Sequence, residues 1–392
     1  DFVTQFEEEN VTQLILQVTQ DCNLRCSYCY YVNESYRNRH HAKLNMSVDT
    51  ARKAMDYLLS HSVGKDNITL GFYGGEPLLR MDILKYCIEY MESQVQDRRI
   101  LFTLTTNGTL LTDDIIEYFI AHNVALFISL DGTKETHDRN RKFVNGHGSF
   151  DIVMWNVAHI KERYPEYFKT IYFNTVISPE MDMKCVRDYY SADEVLATAN
   201  FTSSTIQEFY TDDPPQYDDR LYIDSQYGEF KALLICAGRL SAKDMPFIYQ
   251  GDISDIRKLQ ENLHTDFLLP SAYHHGGPCI AGSRRLFVDV AGNFYPCERV
   301  SESSETMKIG SLEEGLNLEK VLNLINVGKI TENECKRCWA LVHCRICAAW
   351  ADNLTGLDKS KKLQACPLYK SSVLHRFKNV CALSQFTHHK IK

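Results

Sequence analysis

The chain has 392 residues, and 44% of them are hydrophobic, which is enough for a sizeable core and for two or three domains. Lys and Arg number 43 and Asp and Glu number 51, so the net charge is −8, and general nucleic-acid binding, which needs a basic surface, is not expected. The sequence contains no apolar run long enough to cross a bilayer and no signal-peptide pattern. We therefore expect a cytoplasmic protein whose partners are neither nucleic acids nor membranes.

Cysteine is unusually frequent, with fourteen residues in the chain. Ten of them lie in short-spaced groups, and in a large chain without an export signal this predicts metal ligation in a reducing cytoplasm rather than disulfides. Among the four isolated cysteines, Cys87, Cys185 and Cys236 are expected to be small buried apolar residues. The fourth, Cys381, is a spare to which the sequence assigns no role.

Strands and helices alternate in the first half of the chain. Six strands are predicted, at residues 13–20, 68–75, 100–107, 125–132, 170–178 and 204–210. Helical patterns lie between them, for example at 47–62 and 112–123. In the first helical pattern Ala51 and Leu58 fall on one face, and Ser47 is positioned as the N-cap.

This alternation predicts an α/β fold with a parallel sheet and right-handed crossovers. Six units are too few for a complete eight-fold barrel, so we expect an open, partial (β/α)6 barrel. In such sheets chemistry gathers at the carboxyl ends of the strands. The unusual loops fall at those ends: a cysteine triplet after strand one, "GGEP" (74–77), "TTNG" (105–108) and "SLDG" (129–132).

The pattern changes after a Pro- and Asp-rich segment at 211–219. Residues 220–264 predict two helices, and a loop at 271–279 leads to a hairpin at 285–297 with "AGN" as its turn. The remaining chain is rich in cysteine. We predict three domains: a partial barrel over 1–213, a helical linker region over 214–270 and a cysteine-rich domain over 271–392.

The triplet Cys22, Cys26 and Cys29 has the spacing of a cluster-binding loop. Such a loop can reach three corners of a four-iron cube, which leaves one iron with an open coordination position. A closed zinc or iron–sulfur site would need a fourth protein ligand. On spacing alone, half of a zinc site completed by His40 or His41 is the alternative.

The triplet and the "GGEP" segment together resemble the radical S-adenosylmethionine (SAM) superfamily, whose signature is this C-x3-C-x2-C spacing followed by such a segment. Tyr28, just before the third cysteine, also matches. The resemblance implies that Cys22, Cys26 and Cys29 hold a [4Fe-4S] cluster whose fourth ligand is SAM, through its amino and carboxylate groups. It further implies an oxidoreductase in which an electron from the cluster cleaves the sulfonium bond, and a 5′-deoxyadenosyl radical takes a hydrogen atom from the substrate.

The same resemblance implies SAM contacts at the ends of strands two to four. Besides Tyr28, the residues assigned to SAM are Gly74, Gly75, Glu76, Thr106, Asn107, Ser129, Asp131 and Arg141. The glycines allow the backbone to approach a ligand closely, and the polar side chains suit the ammonium, ribose and carboxylate groups. Arg141 is assigned to the carboxylate as a charge-assisted pair, with Arg139 an equal candidate. A turn residue or a surface salt bridge is the alternative for each polar residue.

A second cysteine field lies in the last third of the chain. The four cysteines between 335 and 347 have the spacing of a zinc ribbon, which is one interpretation. Together with the hairpin cysteines and Cys366, they resemble the SPASM extension of radical SAM peptide-modifying enzymes, which carries auxiliary four-iron clusters. The resemblance assigns Cys279, Cys297 and Cys347 to auxiliary cluster I and Cys335, Cys338, Cys344 and Cys366 to auxiliary cluster II. With the SAM cluster, three [4Fe-4S] clusters are expected.

Two features depart from the SPASM pattern. The last spacing within the quartet is two residues here and three in the family. Some relatives have another cysteine ahead of the first, whereas this chain has "AYHHGG" before Cys279. Auxiliary cluster I is therefore expected to have three thiolates and an open iron, which could take His274, His275, a water or a substrate thiolate. We favour the substrate thiolate, because an open iron can bind and activate it.

This open position favours sulfur-to-carbon chemistry. We predict a maturase that abstracts hydrogen from a ribosomally made precursor peptide and forms a cysteine thioether crosslink. The alternative within the superfamily is an anaerobic sulfatase-maturating enzyme that makes formylglycine, and the alternative outside it is a zinc-dependent interaction protein. The expected partners are the precursor peptide and an electron donor such as ferredoxin or flavodoxin.

The sequence does not identify a catalytic base. The acidic and phenolic candidates are Glu208, Tyr210, Asp212 and Asp213 near the sixth predicted strand, and Glu298 directly after Cys297. For each, a solvated or structural role is the alternative. The residues before strand one are too few for the winged-helix module with which such maturases often bind a precursor.

Overall fold

The computed structural model of the chain describes residues 11–241, 258–259, 273 and 279–386. The strands in these ranges are β1 Gln13–Thr19, β2 Asn67–Gly74, β3 Arg99–Thr106, β4 Val124–Ser129, β5 Tyr172–Ile177, β6 Asn200–Thr205, β7 Arg285–Val288, β8 Asn293–Tyr295, β9 Gly310–Ser311 and β10 Gly315–Leu316. They form one sheet in the order β10-β9-β8-β7-β1-β2-β3-β4-β5-β6.

Strands β1 to β6 are parallel neighbours in chain order, which confirms the predicted α/β class and the open, partial barrel. Strand β7 also pairs in parallel with β1, with Gln13 opposite Arg285 and Leu16 opposite Val288. Strands β8 to β10 continue from β7 as an antiparallel meander. The C-terminal region therefore extends the barrel sheet at its β1 edge.

Helices cover the sheet between these strands. In the described ranges they are α1 Val48–Ser60, α2 Met81–Gln94, α3 Asp113–Ala121, α4 Lys134–Asn140, α5 Phe150–Arg163, α6 Pro165–Phe168, α7 Met183–Ala192, α8 Asp219–Cys236, α9 Leu318–Ile325, α10 Glu332–Cys335 and α11 Lys359–Phe386. The predicted cap of α1 is confirmed, because the Ser47 side chain accepts from the Thr50 N–H. None of the described helices is both long and apolar enough to cross a membrane.

One hydrophobic core joins the barrel to the C-terminal region. It includes Leu16 on β1, Phe173 on β5, and Phe287 and Phe294 on β7 and β8, all nearly or fully buried. Strand β1 is buried along almost its whole length, as expected of a parallel strand with neighbours on both edges and layers on both faces.

Three predictions need correction. Strand six spans Asn200–Thr205 rather than 204–210, because this edge strand pairs only with β5 and its polar sequence hides it from hydrophobic patterning. Cys87 is buried as predicted, but Cys185 is exposed, since its side of α7 faces solvent, and Cys236 is only half-buried.

The helical prediction for 220–264 is matched by α8, and most of its second half lies outside the described residues. The hairpin at 285–297 is confirmed, with Gly292 in its turn at φ +87°. The boundary between 270 and 271 also lies outside the described residues, and the three-domain division stays a prediction.

Candidate active site and metal centres

The end of β2 is fastened to the chain just before the cysteine triplet. The Gly75 N–H donates to the Thr19 carbonyl at 2.9 Å, and the Glu76 N–H donates to the Asp21 carbonyl at 2.8 Å. A Cβ on Gly75 would lie 1.9 Å from the Asp21 oxygen, and Gly74 has a φ of +130° and a similar close approach. Only glycines therefore permit this contact between β2 and the cysteine loop.

Glu76 joins the ends of β2 and β3. Its carboxylate accepts from the Leu78 N–H at 3.0 Å, the Thr106 hydroxyl at 2.7 Å and the Asn107 N–H at 2.8 Å. The residue is 1% exposed, and burial raises the pKa of its carboxyl to about 6 against the opposing effect of these three donors. Asn107 in turn donates from its side chain to Asn23, inside the cysteine loop.

The thiols of Cys22, Cys26 and Cys29 line one cavity and act on one another electrostatically. Burial raises the pKa of Cys22 and of Cys26 to about 12, and it also raises the pKa of Cys29. Arg141 opposes the shift at Cys26. These thiols therefore stay protonated unless metal ions compensate the thiolate charge.

Asp131 organises the opposite side of the loop. Its buried carboxylate accepts from the Tyr28 hydroxyl, from Arg141 Nε at 2.7 Å and from the Val176 N–H at 2.9 Å. The Arg141 guanidinium also lies over the Tyr28 ring, 5.4 Å from its centroid. Asp131 thus connects β4, β5 and the cysteine loop, and it presents Arg141 in one orientation.

These groups surround a cavity of about 420 Å³ at the carboxyl ends of the strands. Eight of the predicted SAM contacts line it, namely Tyr28, Gly74, Gly75, Glu76, Thr106, Asn107, Ser129 and Arg141. Asp131 lies behind this lining rather than in it. Arg139 is on the surface and pairs with Glu135, so the structure brings Arg141 rather than Arg139 to the cavity.

His41 lies at the edge of the triplet, with Nε2 4.0 Å from Cys29 Sγ, whereas His40 is exposed. Burial lowers the pKa of His41 to about 4, and its buried Nδ1 lacks a hydrogen-bond partner among the described residues. Within those residues, no three His, Cys, Asp or Glu side chains are close enough to hold a single metal ion. A four-iron cube spaces its thiolates more widely than one zinc ion does, because each thiolate binds a different iron.

The C-terminal region forms part of the same cavity. Glu298 and Arg299, which directly follow Cys297, line it. The Tyr30 hydroxyl, one residue after Cys29, donates to the Glu298 carbonyl at 3.1 Å and lies 3.3 Å from the Tyr73 hydroxyl. The sequence analysis did not find this contact, because it joins residues 268 positions apart.

The cavity floor was also missed. It includes the polar end of β6 and the residues that follow, which are Thr202, Ser203, Ser204, Thr205, Ile206 and Gln207. The misplaced sixth strand concealed them. Among the proposed bases, Glu298 lines the cavity, whereas Glu208, Tyr210, Asp212 and Asp213 do not. Tyr210 instead donates to Asp352 at 2.9 Å, and Asp212 is 82% exposed beside Arg37.

Cys279, Cys297 and Cys347 come together behind Glu298. Burial raises the pKa of Cys297 to about 12, and Glu298 and Cys347 add to it. Burial likewise raises the pKa of Cys347, with Cys279 contributing. His274 and His275, the protein candidates for a fourth ligand, lie outside the described residues.

Cys335, Cys338, Cys344 and Cys366 form a separate group. Burial raises the pKa of Cys344, and Cys335 and Cys338 add to it; Cys366 is likewise affected by burial, Cys335 and Cys344. The run at 335–347 is therefore divided between two groups, which a single zinc ribbon would not be. Cys381 is exposed and fifteen residues farther along α11, about 22 Å by helical rise, so it joins neither group.

Comparison with known proteins identifies the barrel. Residues 16–191 match the Radical SAM superfamily. The chain belongs to the radical SAM superfamily. It is 31% identical to the cysteine-type anaerobic sulfatase-maturating enzyme of Clostridium novyi (strain NT) over 165 residues, which are 41% of this chain and 42% of that protein. The match thus spans less than half of that relative.

Two further likenesses cover most of the radical SAM chain. It is 22% identical over 396 residues to the radical SAM cyclopropyl synthase TigE of Paramaledivibacter caminithermalis (strain DSM 15212 / CIP 107654 / DViRD3), covering 95% of this chain and 76% of that protein. Its fold is similar to native anSMEcpe with bound AdoMet, with a TM-score of 0.66 at 18% identity over 94% of this chain and 99% of that one. The shared fold therefore includes the C-terminal region.

Membership in the radical SAM family implies SAM and a [4Fe-4S] cluster, and the residues present fit both. Three buried thiols face one cavity, two glycines leave room where any Cβ would clash, and a fixed guanidinium faces the same space. Thiolates, backbone groups and a cation are the donors that an open cluster and the amino-acid part of SAM require.

Proposed function

We propose that this radical SAM enzyme modifies a ribosomally made peptide by joining a cysteine sulfur to a carbon atom, using three [4Fe-4S] clusters. One observation carries the proposal: the cavity beside the Cys22–Cys29 loop is also lined by Glu298 and Arg299, next to Cys297. A substrate residue in this cavity would lie between the SAM site and the auxiliary cysteines. Its polar floor, from Thr202 to Gln207, suits a peptide backbone.

Cys22, Cys26 and Cys29 would hold the SAM cluster. When bound there, SAM and the cluster supply a 5′-deoxyadenosyl radical that takes a hydrogen atom from a substrate carbon. Arg141, oriented by Asp131, offers a fixed cation to the SAM carboxylate. The backbone at Gly74 and Gly75 can approach the methionyl part closely, because no side chain intervenes.

The second half of the reaction requires a proton acceptor near the substrate thiol. Glu298 is half-buried at the cavity wall, and Arg285 lies 3.2 Å from its carboxylate. We infer that Glu298 accepts the thiol proton as the new carbon–sulfur bond forms. The carbon loses one hydrogen atom, the thiol loses one proton, and one electron leaves to a carrier of the ferredoxin or flavodoxin class. The product is therefore two hydrogens lighter than the precursor.

Cys279, Cys297 and Cys347 support the sulfur chemistry specifically. They are three thiols in one group, and residues 271–278 contain no cysteine. A cluster held by three thiolates has an iron available for a substrate thiolate, which must be deprotonated to bind. Cys335, Cys338, Cys344 and Cys366 supply four thiols and suit a closed cluster for electron transfer.

Formylglycine formation is the second candidate. It is favoured by the similarity to the Clostridium novyi relative, which is named as a sulfatase-maturating enzyme, and by the fold shared with anSMEcpe. Both candidates start with hydrogen abstraction in the same cavity. They differ in the product, because formylglycine carries an aldehyde and a thioether does not.

The first test is independent of the peptide. Anaerobically reconstituted protein should contain about twelve irons per chain if all three clusters are present. With dithionite and SAM it should release 5′-deoxyadenosine, and the Cys26→Ala variant should not. A protein that contains zinc and forms no 5′-deoxyadenosine would contradict the proposal.

The second test uses a short cysteine-containing peptide encoded beside this gene. The expected product is two hydrogens lighter per crosslink, and its linked cysteine resists iodoacetamide. A product that reacts with a hydrazide probe would establish formylglycine instead. An unmodified peptide, with 5′-deoxyadenosine still formed, would refute that peptide as the substrate of either reaction.

A further inference from the structure

A buried lysine lies among the cysteines assigned to auxiliary cluster II. Lys362 is 1% exposed and sits on α11, one helical turn before Cys366. Its Nζ donates to Thr331 Oγ1 at 2.6 Å and lies 3.8 Å from Cys335 Sγ. The Thr331 hydroxyl is also buried, 3.2 Å from the same sulfur. The ammonium is therefore held against the cysteine group by a neutral hydroxyl.

This ammonium has no carboxylate partner among the described residues. The nearby acids are committed elsewhere: Glu332 pairs with Lys336 at 2.5 Å, and Glu334 pairs with Lys359 at 2.7 Å. Burial of an unpaired charge is costly, and buried lysines are almost always paired. Four neutral thiols would not compensate the charge of Lys362, whereas four iron-bound thiolates would.

We propose that Lys362 is the counter-charge of auxiliary cluster II and raises its reduction potential. The inference rests on the proposed ligation by Cys335, Cys338, Cys344 and Cys366. Cluster potentials depend on net charge, on hydrogen bonds to sulfur and on exposure, and Lys362 supplies the first two from a buried position. Reduction adds one electron from the donor and changes no bond, so a fixed positive charge favours the reduced, more negative form.

The test compares Lys362→Met with Lys370→Met in the full chain after anaerobic reconstitution. Lys370 is on the same helix, one turn beyond Cys366, but it is exposed, so water and salt screen its charge. The readout is an EPR-monitored titration with dithionite, in which the signal of auxiliary cluster II is the one that Cys338→Ala removes.

We expect Lys362→Met to make reduction at least tenfold less favourable, a shift of about 59 mV to lower potential for a one-electron couple. Lys370→Met should shift it by less than a third of that. An unchanged potential in Lys362→Met, with the cluster retained, would overturn the inference and leave the cluster assignment standing. If Cys338→Ala removes no iron, the assignment and the inference both fail.

Thermal unfolding of iron-free protein provides the second measurement. Without the cluster the ammonium is uncompensated, so Lys362→Met should unfold at the same or a higher temperature than the unsubstituted protein. If Lys362 were merely a structural link to Thr331, the substitution would lower the unfolding temperature. That result, together with an unchanged potential, would assign Lys362 a structural role only.

Discussion

At the scale of single residues, the surroundings of a side chain decide its chemistry more than its type does. Arg141 and Arg139 are two positions apart, yet one is buried against Asp131 and the other pairs with Glu135 in solvent. Lysine at 141 keeps the charge but cannot make the two-nitrogen contact with Asp131. We expect Arg141→Lys to weaken SAM binding by about tenfold, or about 1.4 kcal/mol, measured by equilibrium dialysis with reconstituted protein.

Arg139→Lys is the matched control and should bind SAM with unchanged affinity, since its contacts are exposed. Equal affinities for the two variants would contradict a SAM-facing role for Arg141. Loss of binding in the control alone would assign that role to Arg139.

Glu76 makes a prediction about pH. Burial raises its pKa in the folded chain to about 6, from an ordinary value of 4.5, so folding favours the protonated form. Its contribution to stability is then fully present below about pH 4.5 and is lost as the pH rises through about 6. The difference corresponds to about 2 kcal/mol. We expect the unfolding free energy of iron-free protein, relative to Glu76→Gln, to fall by about that amount over this range.

Urea unfolding of both proteins between pH 4 and 7 measures this difference. Glu313→Gln, at an exposed position, is the control and should follow the unsubstituted protein at every pH. A pH-independent difference between Glu76→Gln and the unsubstituted protein would show that Glu76 keeps an ordinary pKa after folding.

Glu298 allows the two halves of the proposed reaction to be separated. Glutamine keeps the shape of the side chain but cannot accept a proton from the substrate thiol. Glu298→Gln should therefore still form 5′-deoxyadenosine while crosslinked peptide falls by about a hundredfold. Asp213→Asn, at an exposed position outside the cavity, should lose neither activity. A full yield of crosslinked peptide from Glu298→Gln would exclude this carboxylate as the proton acceptor.

At the scale of elements, the contact between the end of β2 and the cysteine loop is the joint of the site. A Cβ at Gly75 would lie 1.9 Å from the Asp21 carbonyl, so Gly75→Ala must displace backbone. We expect a loss of about 1–3 kcal/mol in stability and of the irons held by the Cys22 loop, measured by urea unfolding and iron analysis.

Gly328→Ala is the matched control, because nothing lies within 4 Å of its Cβ position and its φ is negative. It should keep both stability and iron content. Full iron content in Gly75→Ala would show that the loop tolerates separation from β2.

At the scale of the whole molecule, β7 closes one edge of the barrel sheet. It covers β1 through the pairs from Gln13 with Arg285 to Leu16 with Val288, and its Phe287 belongs to the common core. A chain ending at 241 would expose that edge and lose this burial. We expect it to aggregate or to lack a cooperative unfolding transition, as measured by light scattering and calorimetry.

The control is a full-length Cys335→Ala, Cys338→Ala variant, which removes two proposed ligands of auxiliary cluster II but keeps β7. It should remain soluble and unfold cooperatively. A soluble, cooperatively folded chain ending at 241 would show that the barrel is independent of the C-terminal region.

Much of the fold and part of the site could be predicted from local patterns. The first five parallel strands, the Ser47 cap and the cysteine and glycine loops are encoded by neighbouring residues, through apolar runs, capping chemistry and spacing. The sixth strand was misplaced because an edge strand with a polar sequence carries no such run. Cys185 was assigned to the interior, because residue type alone does not show which side of a helix faces solvent.

By itself, the sequence determined the α/β class, the radical SAM resemblance and the loops that meet at one rim, because each depends on residues close along the chain. Only the tertiary structure decided that Asp131 orients Arg141, that Glu298 shares the cavity of Cys29, and that Lys362 faces Cys335 without a carboxylate partner among the described residues. Those contacts join separate elements, and burial and pairing across such distances arise only when the chain is packed.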